Sequence, residues 1–201
     1  MLTLRKVAIT GGLSSGKSTV CEIFKDLGAY TVSSDQIVHQ LLLHDRLLQK
    51  KITRLLGPEI LTNHYIDREK VAKLVFANQE KLQALEKLIH PAVFHEIQSL
   101  YKRAKKGTTH RLFIAEVPLL FEAEQENLFD TVVTVLSNHE TCKNRFNNMN
   151  NRSEADFNDR MMRQISPEEK AARSDFILIN NGTLEDLRAQ VTELTSKLCS
   201  T

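Results

Sequence analysis

GGLSSGKST, residues 11–19, contains the full pattern G-x-x-x-x-G-K-[ST] and decides how the rest of the chain is interpreted. The apolar run at 7–9 predicts a short buried strand before it, and apolar residues at helical spacing from 20 to 27 predict a helix after it. Strand, glycine loop and helix form the context in which this pattern cradles phosphate groups. A chance match in an ordinary strand–turn–helix unit is the alternative, and the context favours a phosphate-binding loop.

Each residue type in this loop has a physical role toward a nucleoside triphosphate. The glycines let backbone N–H groups point inward at phosphate oxygens, and the helix that follows adds its positive N-terminal end. We expect Lys17 to reach the β- and γ-phosphates, Ser18 to bind Mg²⁺, and Thr19 to bond the α-phosphate. The candidate ATP-binding residues of the loop are Gly12, Leu13, Ser14, Ser15, Gly16, Lys17, Ser18 and Thr19.

Composition limits the class of protein. The chain has 201 residues, with 27 basic and 25 acidic side chains, so its net charge of +2 does not favour nucleic acid or a membrane surface. The apolar run after Arg5 and Lys6 is too short for a signal peptide, and no run reaches the length of a membrane span. Three scattered cysteines argue against disulfides or a zinc site. We therefore expect a soluble, cytoplasmic protein without nucleic-acid or membrane partners.

Apolar runs at 29–32, 112–117, 131–136 and 176–179 predict four further strands. Their near-continuous apolar character is typical of strands that are covered on both faces, as in an α/β sheet. Between 36 and 106 the pattern is almost wholly helical, which exceeds one crossover and indicates a helical lobe inserted beside the sheet. Within it, His90-Pro91 predicts a boundary between two helices, because the residue before proline avoids the α region.

Two acids fall where strands of the predicted sheet end. Asp35 follows the second strand and Glu116 lies in the third, at the edge where open α/β sheets bind ligands. Asp35 is either a catalytic acid or the N-cap of a helix over 36–43, and one residue could do both. Glu116 either helps to hold the water shell of Mg²⁺ or bonds a neighbouring backbone or basic group. Spacing alone leaves both choices open.

Arginines follow the fourth strand, on a predicted helix over 139–149 and in the polar stretch after it. An arginine on a mobile flap beside an ATP site can close over the transferring phosphoryl group and neutralise its charge. A solvated basic helix face is the alternative. We favour the flap for Arg145 and leave Arg152, Arg160 and Arg163 open. After the fifth strand, Thr183 is expected to cap a terminal helix over 183–198.

Taken together and in order, the motifs of this chain resemble those of the dephospho-CoA kinase family over essentially its whole length. The loop alone is shared by many nucleotide-binding proteins, whereas the set with its spacing is specific. The motifs are TGGLSSGKST at 10–19, SSD at 33–35, His90-Pro91, VPLLFE at 117–122, Arg145, Gln164 and SDFILINNG at 174–182.

The resemblance implies an α/β, three-layer P-loop kinase fold with a five-stranded parallel sheet, a helical substrate-binding insertion and a lid. The nucleotide-binding core would comprise 1–35, 108–140 and 170–201, the acceptor domain 36–107, and the lid 141–169. The implied reaction transfers the γ-phosphoryl group of ATP to the ribose 3′-hydroxyl of dephospho-CoA, with Mg²⁺ as cofactor. We expect a monomer or weak homo-oligomer with these two substrates as its partners.

The resemblance also implies roles for individual residues. Asp35 matches the family's acid at the acceptor hydroxyl, so it would orient that hydroxyl or accept its proton. The turn from Asn180 to Gly182 would lie near the adenine ring, which adds both residues to the ATP-binding set. Lys17 and Arg145 complete the catalytic set, and Ser18 with Glu116 the metal set. The acceptor-binding candidates are Asp35, His39, His90 and Pro118.

Four positions depart from the family pattern. Ser14 replaces the usual third glycine of the loop, which we expect to be tolerated only if this position keeps an ordinary negative φ. His39 replaces a frequent arginine, and Glu116 a frequent aspartate. Met149 replaces a second arginine of the lid, which shifts charge neutralisation to Arg145 or Arg152.

Two other functions remain alternatives. A different small-molecule or nucleoside monophosphate kinase would share the loop, because the loop cannot name the acceptor. A nucleotide-gated binding protein is the second, although the chain has no N-K-x-D segment to recognise guanine.

Overall fold

The structure is a computed structural model that describes residues 4–76, 78–107, 109–150, 154–162 and 164–200. The chain divides into a sheet unit, residues 1–33 and 101–201, and a helical unit, residues 34–100. In chain order the described elements are β1 (Arg5–Gly11), α1 (Lys17–Asp26), β2 (Tyr30–Ser33), α2 (Ser34–His44), α3 (Arg46–Leu56), β3 (Leu61–Thr62), β4 (Tyr65–Ile66), α4 (Arg68–Phe76), α5 (Gln79–Gly107), β5 (Leu112–Glu116), β6 (Thr131–Leu136), α6 (His139–Asn150), α7 (Glu154–Met161), α8 (Pro167–Ala172), β7 (Phe176–Ile179) and α9 (Leu184–Ser200).

The sheet unit is built on a parallel sheet of five strands in the order β2-β5-β1-β6-β7. All its pairings are parallel, which confirms the predicted α/β fold. The register pairs Ile9 and Ser33 with Glu116, and Gly11 with Val135. The carboxyl ends of the strands therefore lie along one edge, and the glycine loop at 11–16 leaves the sheet from its central strand.

Alternate side chains of β1 serve two different layers. Val7 and Ile9 pack with Val20 and Phe24 of α1 and with Val191 of α9 in one fully buried core. Ala8 and Thr10 are also fully buried but point to the opposite face. On that face α8 packs against β1 and β6. Helices on both faces explain why the strands are apolar throughout rather than alternating.

The helical unit has its own core. Ile52, Leu56 and Ile60 are at most 2% exposed, and residues of α2, α4 and α5 pack around them. Asp45 caps α3, because its Oδ1 accepts from the backbone N–H groups of Leu47 and Leu48, both at 2.9 Å. The insertion predicted from helical periodicity is therefore a compact unit with a buried interior. Besides its helices, it contains one short antiparallel hairpin of β3 and β4.

Pro91 does not divide two helices, so the predicted boundary at His90-Pro91 is wrong. α5 runs without interruption from Gln79 to Gly107 and contains Pro91 in its interior. Proline there removes one backbone hydrogen bond and costs about 3 kcal/mol. Leu85 and Ile89 before it and Ala92 after it all pack against the core of the helical unit. This packing on both sides of the proline outweighs the local cost.

The remaining boundaries agree with expectation to within a few residues. β6 and β7 have the predicted bounds, and α1 ends one residue early, ahead of Gly28 with its left-handed φ of 89°. Thr183 caps α9 as predicted, since its hydroxyl accepts from the Asp186 backbone N–H at 3.2 Å. Within the described ranges, none of the helices combines the length and apolar character that crossing a membrane requires.

Candidate active site

The loop between β1 and α1 has the backbone shape that phosphate binding requires. Gly11 has φ 144° and Gly16 has φ 96°, and Gly16 precedes α1 without a side-chain cap. A Cβ on Gly11 would overlap the carbonyl oxygen of Val135, and a Cβ on Gly16 would overlap the side-chain nitrogen of Asn180. Both positions therefore require glycine. The first turn of α1 holds no acidic residue that would oppose an anion at its N-terminus.

Ser14 does not have the ordinary negative φ expected of a serine at this position, because its φ is 56°. The backbone N–H of Ser15 donates to the Gly12 carbonyl at 3.3 Å, which closes a tight turn with Ser14 at its third position. A common turn type requires a positive φ there. The course of the loop thus imposes the left-handed conformation whatever the side chain, at a cost of about 1 kcal/mol for a residue other than glycine.

Lys17 is the first residue of α1 and folds back over the loop. Its side-chain Nζ donates to the carbonyl oxygen of Gly12 at 2.7 Å, and the residue is only 8% exposed. This contact spans the loop from its last residues to its first. The positive charge therefore lies within the loop.

Ser18 and Glu116 meet at the edge of the sheet. The Ser18 hydroxyl donates to Glu116 Oε1 at 2.8 Å, although the two residues are 98 positions apart in the chain. Glu116 is the last residue of β5, which neighbours β1 in the sheet. The two hard oxygen donors that the sequence proposed for Mg²⁺ thus lie in contact.

No cluster of three or more metal-ligating side chains occurs among the residues that the structure describes. A Mg²⁺ ion in a phosphate-transfer site does not need one, because it keeps several waters and takes phosphate oxygens as further ligands. One hydroxyl and one carboxylate beside a phosphate-binding loop fit that coordination.

Arg145, on α6, lies beside the loop. Its guanidinium donates to the Asn180 carbonyl at 3.3 Å, to Asn180 Oδ1 at 3.4 Å and to the Ser137 hydroxyl at 3.4 Å. One guanidinium nitrogen lies 3.8 Å from the position that a Cβ on Gly16 would occupy. The arginine is therefore held at the carboxyl edge of the sheet.

Asn180 joins Arg145 to the loop. Its side-chain nitrogen donates to the Ser15 carbonyl at 2.8 Å, and the residue is 6% exposed. Gly182 follows in an exposed turn, which the Asp186 carboxylate holds by accepting from Thr183. The two predicted ATP-binding residues of this turn therefore differ, since one is buried against the loop and the other is exposed.

Cys21 lies one turn beyond Lys17 on α1 and is buried. Burial raises the pKa of the Cys21 thiol well above its ordinary value, and the Glu116 carboxylate raises it further. The raised pKa favours the protonated thiol at neutral pH, and the Lys17 ammonium opposes the shift only in part.

The acceptor candidates Asp35, His39 and His90 belong to the helical unit. α2 begins at Ser34, so Asp35 lies inside its first turn and is not its N-cap, which was one of the two roles that spacing left open. The chain passes from β2 into α2 without a loop, and a carboxylate in a first turn is stabilised by the helix dipole. Asp35 and His39 are exposed and one turn apart, hence on one face of α2, whereas His90 is half-buried on α5.

Comparisons with known proteins agree on one family. The family model for dephospho-CoA kinase matches residues 5–186. A dephospho-CoA kinase from Protochlamydia amoebophila is 49% identical over 98% of both chains, and one from Chlamydia abortus is 41% identical over 96% of both. The chain belongs to the dephospho-CoA kinase family. It is accordingly an ATP-dependent phosphotransferase of coenzyme A biosynthesis that acts on an alcohol group.

Solved structures give the same answer for the fold. A dephospho-CoA kinase from Campylobacter jejuni has a TM-score of 0.72 at 28% identity, covering 97% of each chain. A Thermus thermophilus protein has a TM-score of 0.81 at 28% identity, covering 98% of each chain. A shikimate kinase from Acinetobacter baumannii matches with a TM-score of 0.55 at 16% identity, covering 99% of this chain and 95% of its own, which shows the shared kinase fold alone.

Sequence reasoning missed one group beside the dephospho-CoA kinase motifs. Lys170 of α8 has no exposed surface, and its Nζ donates to the Pro118 carbonyl at 2.7 Å and pairs with Glu122 at 2.9 Å. Pro118 and Glu122 both belong to the VPLLFE motif, and Gln164 accepts from Lys170 at 3.4 Å. A lysine in the sequence does not by itself indicate burial. The available signal was that Pro118 and Glu122, both motif residues, had no polar partner assigned from the sequence.

Part of the region predicted to form a lid, residues 141–169, falls outside the described residues. This applies to Arg152, Arg163 and the side chain of Met149. In the described part, Phe146 of α6 and Phe157 of α7 pack together with ring centroids 5.5 Å apart, and Cys142 completes a small buried cluster. Arg160 lies over the Phe146 ring, with 5.8 Å between the guanidinium carbon and the ring centroid.

Proposed function

We propose that this chain transfers the γ-phosphoryl group of ATP to the ribose 3′-hydroxyl of dephospho-CoA, at a site centred on residues 12–19. The observation that carries the proposal is the loop geometry in a chain of this family. Two glycines with positive φ, a lysine that folds back over the loop and an uncapped helix start lie together within residues 11–17. Such an arrangement is suited to an anionic triphosphate tail.

In this proposal Lys17 exchanges its partner when ATP binds. Its Nζ now donates to the neutral Gly12 carbonyl at 2.7 Å. A phosphate oxygen is a stronger, charged acceptor in the same region, so the ammonium would turn to the β- and γ-phosphates. The backbone of residues 12–16 would hold the same phosphates, with Thr19 at the α-phosphate.

We propose Ser18 and Glu116 as the protein groups that hold Mg²⁺, Ser18 directly and Glu116 through the water shell. Their 2.8 Å contact supports this assignment, because it brings a hydroxyl on α1 and a carboxylate at the end of β5 to the same place. The bound ion would neutralise charge on the phosphates. Ser18 and Glu116 would hold the ion at the carboxyl end of β5.

Arg145 is proposed to stabilise the transferring phosphoryl group. Its charge lies beside Gly16, and Asn180 and Ser137 orient its guanidinium. Phosphoryl transfer depends largely on positioning and charge stabilisation, so a pre-oriented arginine lowers the barrier. We assign the region 141–169 to a lid that carries this arginine, and the turn at Asn180 and Gly182 to the adenine side of the site.

Residues 36–107, most of which belong to the helical unit, are the proposed acceptor domain, and Asp35 directly precedes them. Asp35 would accept or orient the proton of the ribose 3′-hydroxyl, because a carboxylate is the group that can do so at neutral pH. His39 shares its helix face and His90 its unit, which supports contacts to the same acceptor. Pro118 follows β5 and is assigned to the acceptor side of the sheet unit.

We further infer a cytoplasmic monomer or weak homo-oligomer whose partners are ATP and dephospho-CoA. Its near-balanced charge gives no attraction for nucleic acid or anionic lipid. Gel filtration with light scattering would test the oligomeric state, since a tight dimer would elute with twice the 22.9 kDa mass of the chain.

The direct test of the proposed function supplies dephospho-CoA as the only acceptor with ATP and Mg²⁺. We expect ADP to form in step with a product that is phosphorylated on the ribose 3′-oxygen, identified by phosphorus NMR. Lys17→Ala should lower kcat by about 100-fold or more, because a charge that stabilises the transition state is lost. Turnover with shikimate or a nucleoside monophosphate but not with dephospho-CoA would contradict the proposal.

A further inference from the structure

Lys170 is a fully buried ammonium that the proposed reaction does not use. It lies on α8, on the sheet face that carries Ala8 and Thr10, and it has no exposed surface. Its Nζ donates to the Pro118 carbonyl at 2.7 Å and to Gln164 Oε1 at 3.4 Å, and it pairs with Glu122 Oε1 at 2.9 Å. Burying a lysine costs several kcal/mol before its partners compensate, and an apolar residue would fill the space at lower cost. Stability is therefore a weak reason for its presence.

The partners of Lys170 bring three chain segments together. The Pro118 carbonyl also accepts from the Thr10 hydroxyl at 3.3 Å, one residue before the loop begins. Glu122 Oε1 also accepts from the backbone N–H of Ile165 at 3.1 Å. The ammonium thus ties the end of β1, the segment that follows β5, and the chain that returns from α7 to α8.

Each of these segments leads into the candidate site. Pro118 is two residues beyond Glu116, which receives the Ser18 hydroxyl. α8 begins at Pro167, whose Cγ lies 3.2 Å from the position of a Cβ on Gly12. A shift of α8 or of the Pro118 segment would therefore move the start of the loop and the carboxylate end of β5.

We propose that Lys170 is a positioning residue for phosphoryl transfer, which holds Glu116 against Ser18 and α8 against Gly12. It acts through Pro118 and Glu122 and touches neither nucleotide nor acceptor. The proposal rests on the proposed function, because it requires Glu116 to serve Mg²⁺. The effect expected on its removal is a misplaced metal site in a chain that still folds.

Replacing Lys170 alone would leave the Glu122 carboxylate without its partner, so a loss of activity could reflect a loss of folding. A second substitution at Glu122 separates the two effects. Burial lowers the pKa of the Lys170 ammonium, while the Glu122 carboxylate raises it. Glu122 Oε2 has no hydrogen-bond partner within the part of the chain that the structure describes. Lys170→Met alone would leave a poorly solvated charge and destabilise the fold. Adding Glu122→Gln removes that charge and keeps an oxygen for the Ile165 N–H.

The experiment compares the wild-type chain with Lys170→Met, the double variant Lys170→Met/Glu122→Gln, and Lys170→Arg. Lys6→Met is the matched control, because Lys6 is also buried and donates to a backbone carbonyl, that of Leu128 at 2.6 Å, but lies near the start of β1. Thermal unfolding, kcat with dephospho-CoA, and ATP affinity by calorimetry with and without Mg²⁺ are measured at a temperature where every variant is folded.

We expect the double variant to recover most of the thermal stability that Lys170→Met loses. Its kcat should stay about 10–100-fold below wild type, the range for groups that support a metal ligand. Mg²⁺ should tighten ATP binding to the wild type and to Lys6→Met but lose most of this effect in the double variant. Lys170→Arg, which keeps the charge, should restore part of kcat.

A stable double variant with wild-type kcat and a wild-type Mg²⁺ effect would overturn the proposal and make Lys170 a structural ion pair. A loss of kcat in Lys6→Met as large as in the double variant would overturn it too. A wild-type chain that neither phosphorylates dephospho-CoA nor gains ATP affinity from Mg²⁺ would instead contradict the proposed function itself.

Discussion

Ser14 carries a left-handed backbone in the middle of the phosphate-binding loop, with φ 56°. We expect Ser14→Gly to preserve thermal stability, because relief of the left-handed strain offsets the extra chain entropy of glycine. Ser14→Val should destabilise the fold by about 1–2 kcal/mol, since a β-branched side chain fits this region poorly. Calorimetric unfolding of both variants measures the difference. A Val variant as stable as wild type would show that the loop can take another path.

We expect the buried Lys6 ammonium to make the free energy of unfolding depend on pH. Burial lowers the pKa of its ammonium to about 8, partly opposed by the Asp130 carboxylate. Between this value and the ordinary pKa of about 10.5, the unfolded chain binds more protons than the folded one, so this group makes stability rise with pH. From pH 7 to 9.5 the wild type should gain about 1 kcal/mol relative to Lys6→Met, allowing for solvent screening.

Urea unfolding of the wild type and Lys6→Met at both pH values provides the measurement. The variant serves as the reference, because methionine does not titrate and the other groups contribute equally to both chains. A stability difference that is constant from pH 7 to 9.5 would mean that Lys6 titrates normally despite its burial.

At the scale of elements, we expect Pro91 to make α5 less stable than the same helix would be with alanine at this position. The proline is exposed in the interior of a helix that runs from Gln79 to Gly107. Pro91→Ala would restore a backbone N–H, so we expect the free energy of unfolding to rise by about 1–3 kcal/mol. Thermal unfolding tests this, with Gln83→Ala, at another exposed position of α5, as the control for a neutral helix substitution. A lower melting temperature for Pro91→Ala would show that the proline itself supports the packing of α5.

The elements differ in how far the sequence could predict them. β6 has its predicted bounds, because a strand covered on both faces gives a continuous apolar run with polar ends. β7 also has its predicted bounds, although Ile177 and Ile179 are 48% and 54% exposed. The boundary at Pro91 failed because a local proline signal competes with packing that involves residues on both sides of it. Ser14 failed for the related reason that the turn, not the residue type, decides φ.

Long-range contacts explain the rest of what the sequence could not predict. Ser18 and Glu116 were each proposed from a motif, although only the sheet order brings them within 2.8 Å. Lys170 was missed because its carbonyl partner Pro118 lies 52 positions away and its burial depends on helix packing. Residue types and spacing thus identified the candidate groups, whereas their pairings required the fold.

At the scale of the whole molecule, the proposed reaction requires two units to cooperate. The sheet unit supplies the loop, Lys17 and Arg145, and the helical unit supplies Asp35. Each unit has a hydrophobic core of its own. We therefore expect changes in the helical unit to alter acceptor turnover while ATP binding is preserved.

Asp35→Asn tests this division most directly, with kcat for dephospho-CoA and the Kd for ATP measured on the same preparation. Asp45→Asn is the matched control, because it makes the same change in the same unit at a helix cap that asparagine also suits. We predict that Asp35→Asn lowers kcat by about 100-fold or more while Kd stays within about 3-fold, as expected for a group that acts only on the acceptor. A near-normal kcat in Asp35→Asn would contradict the account.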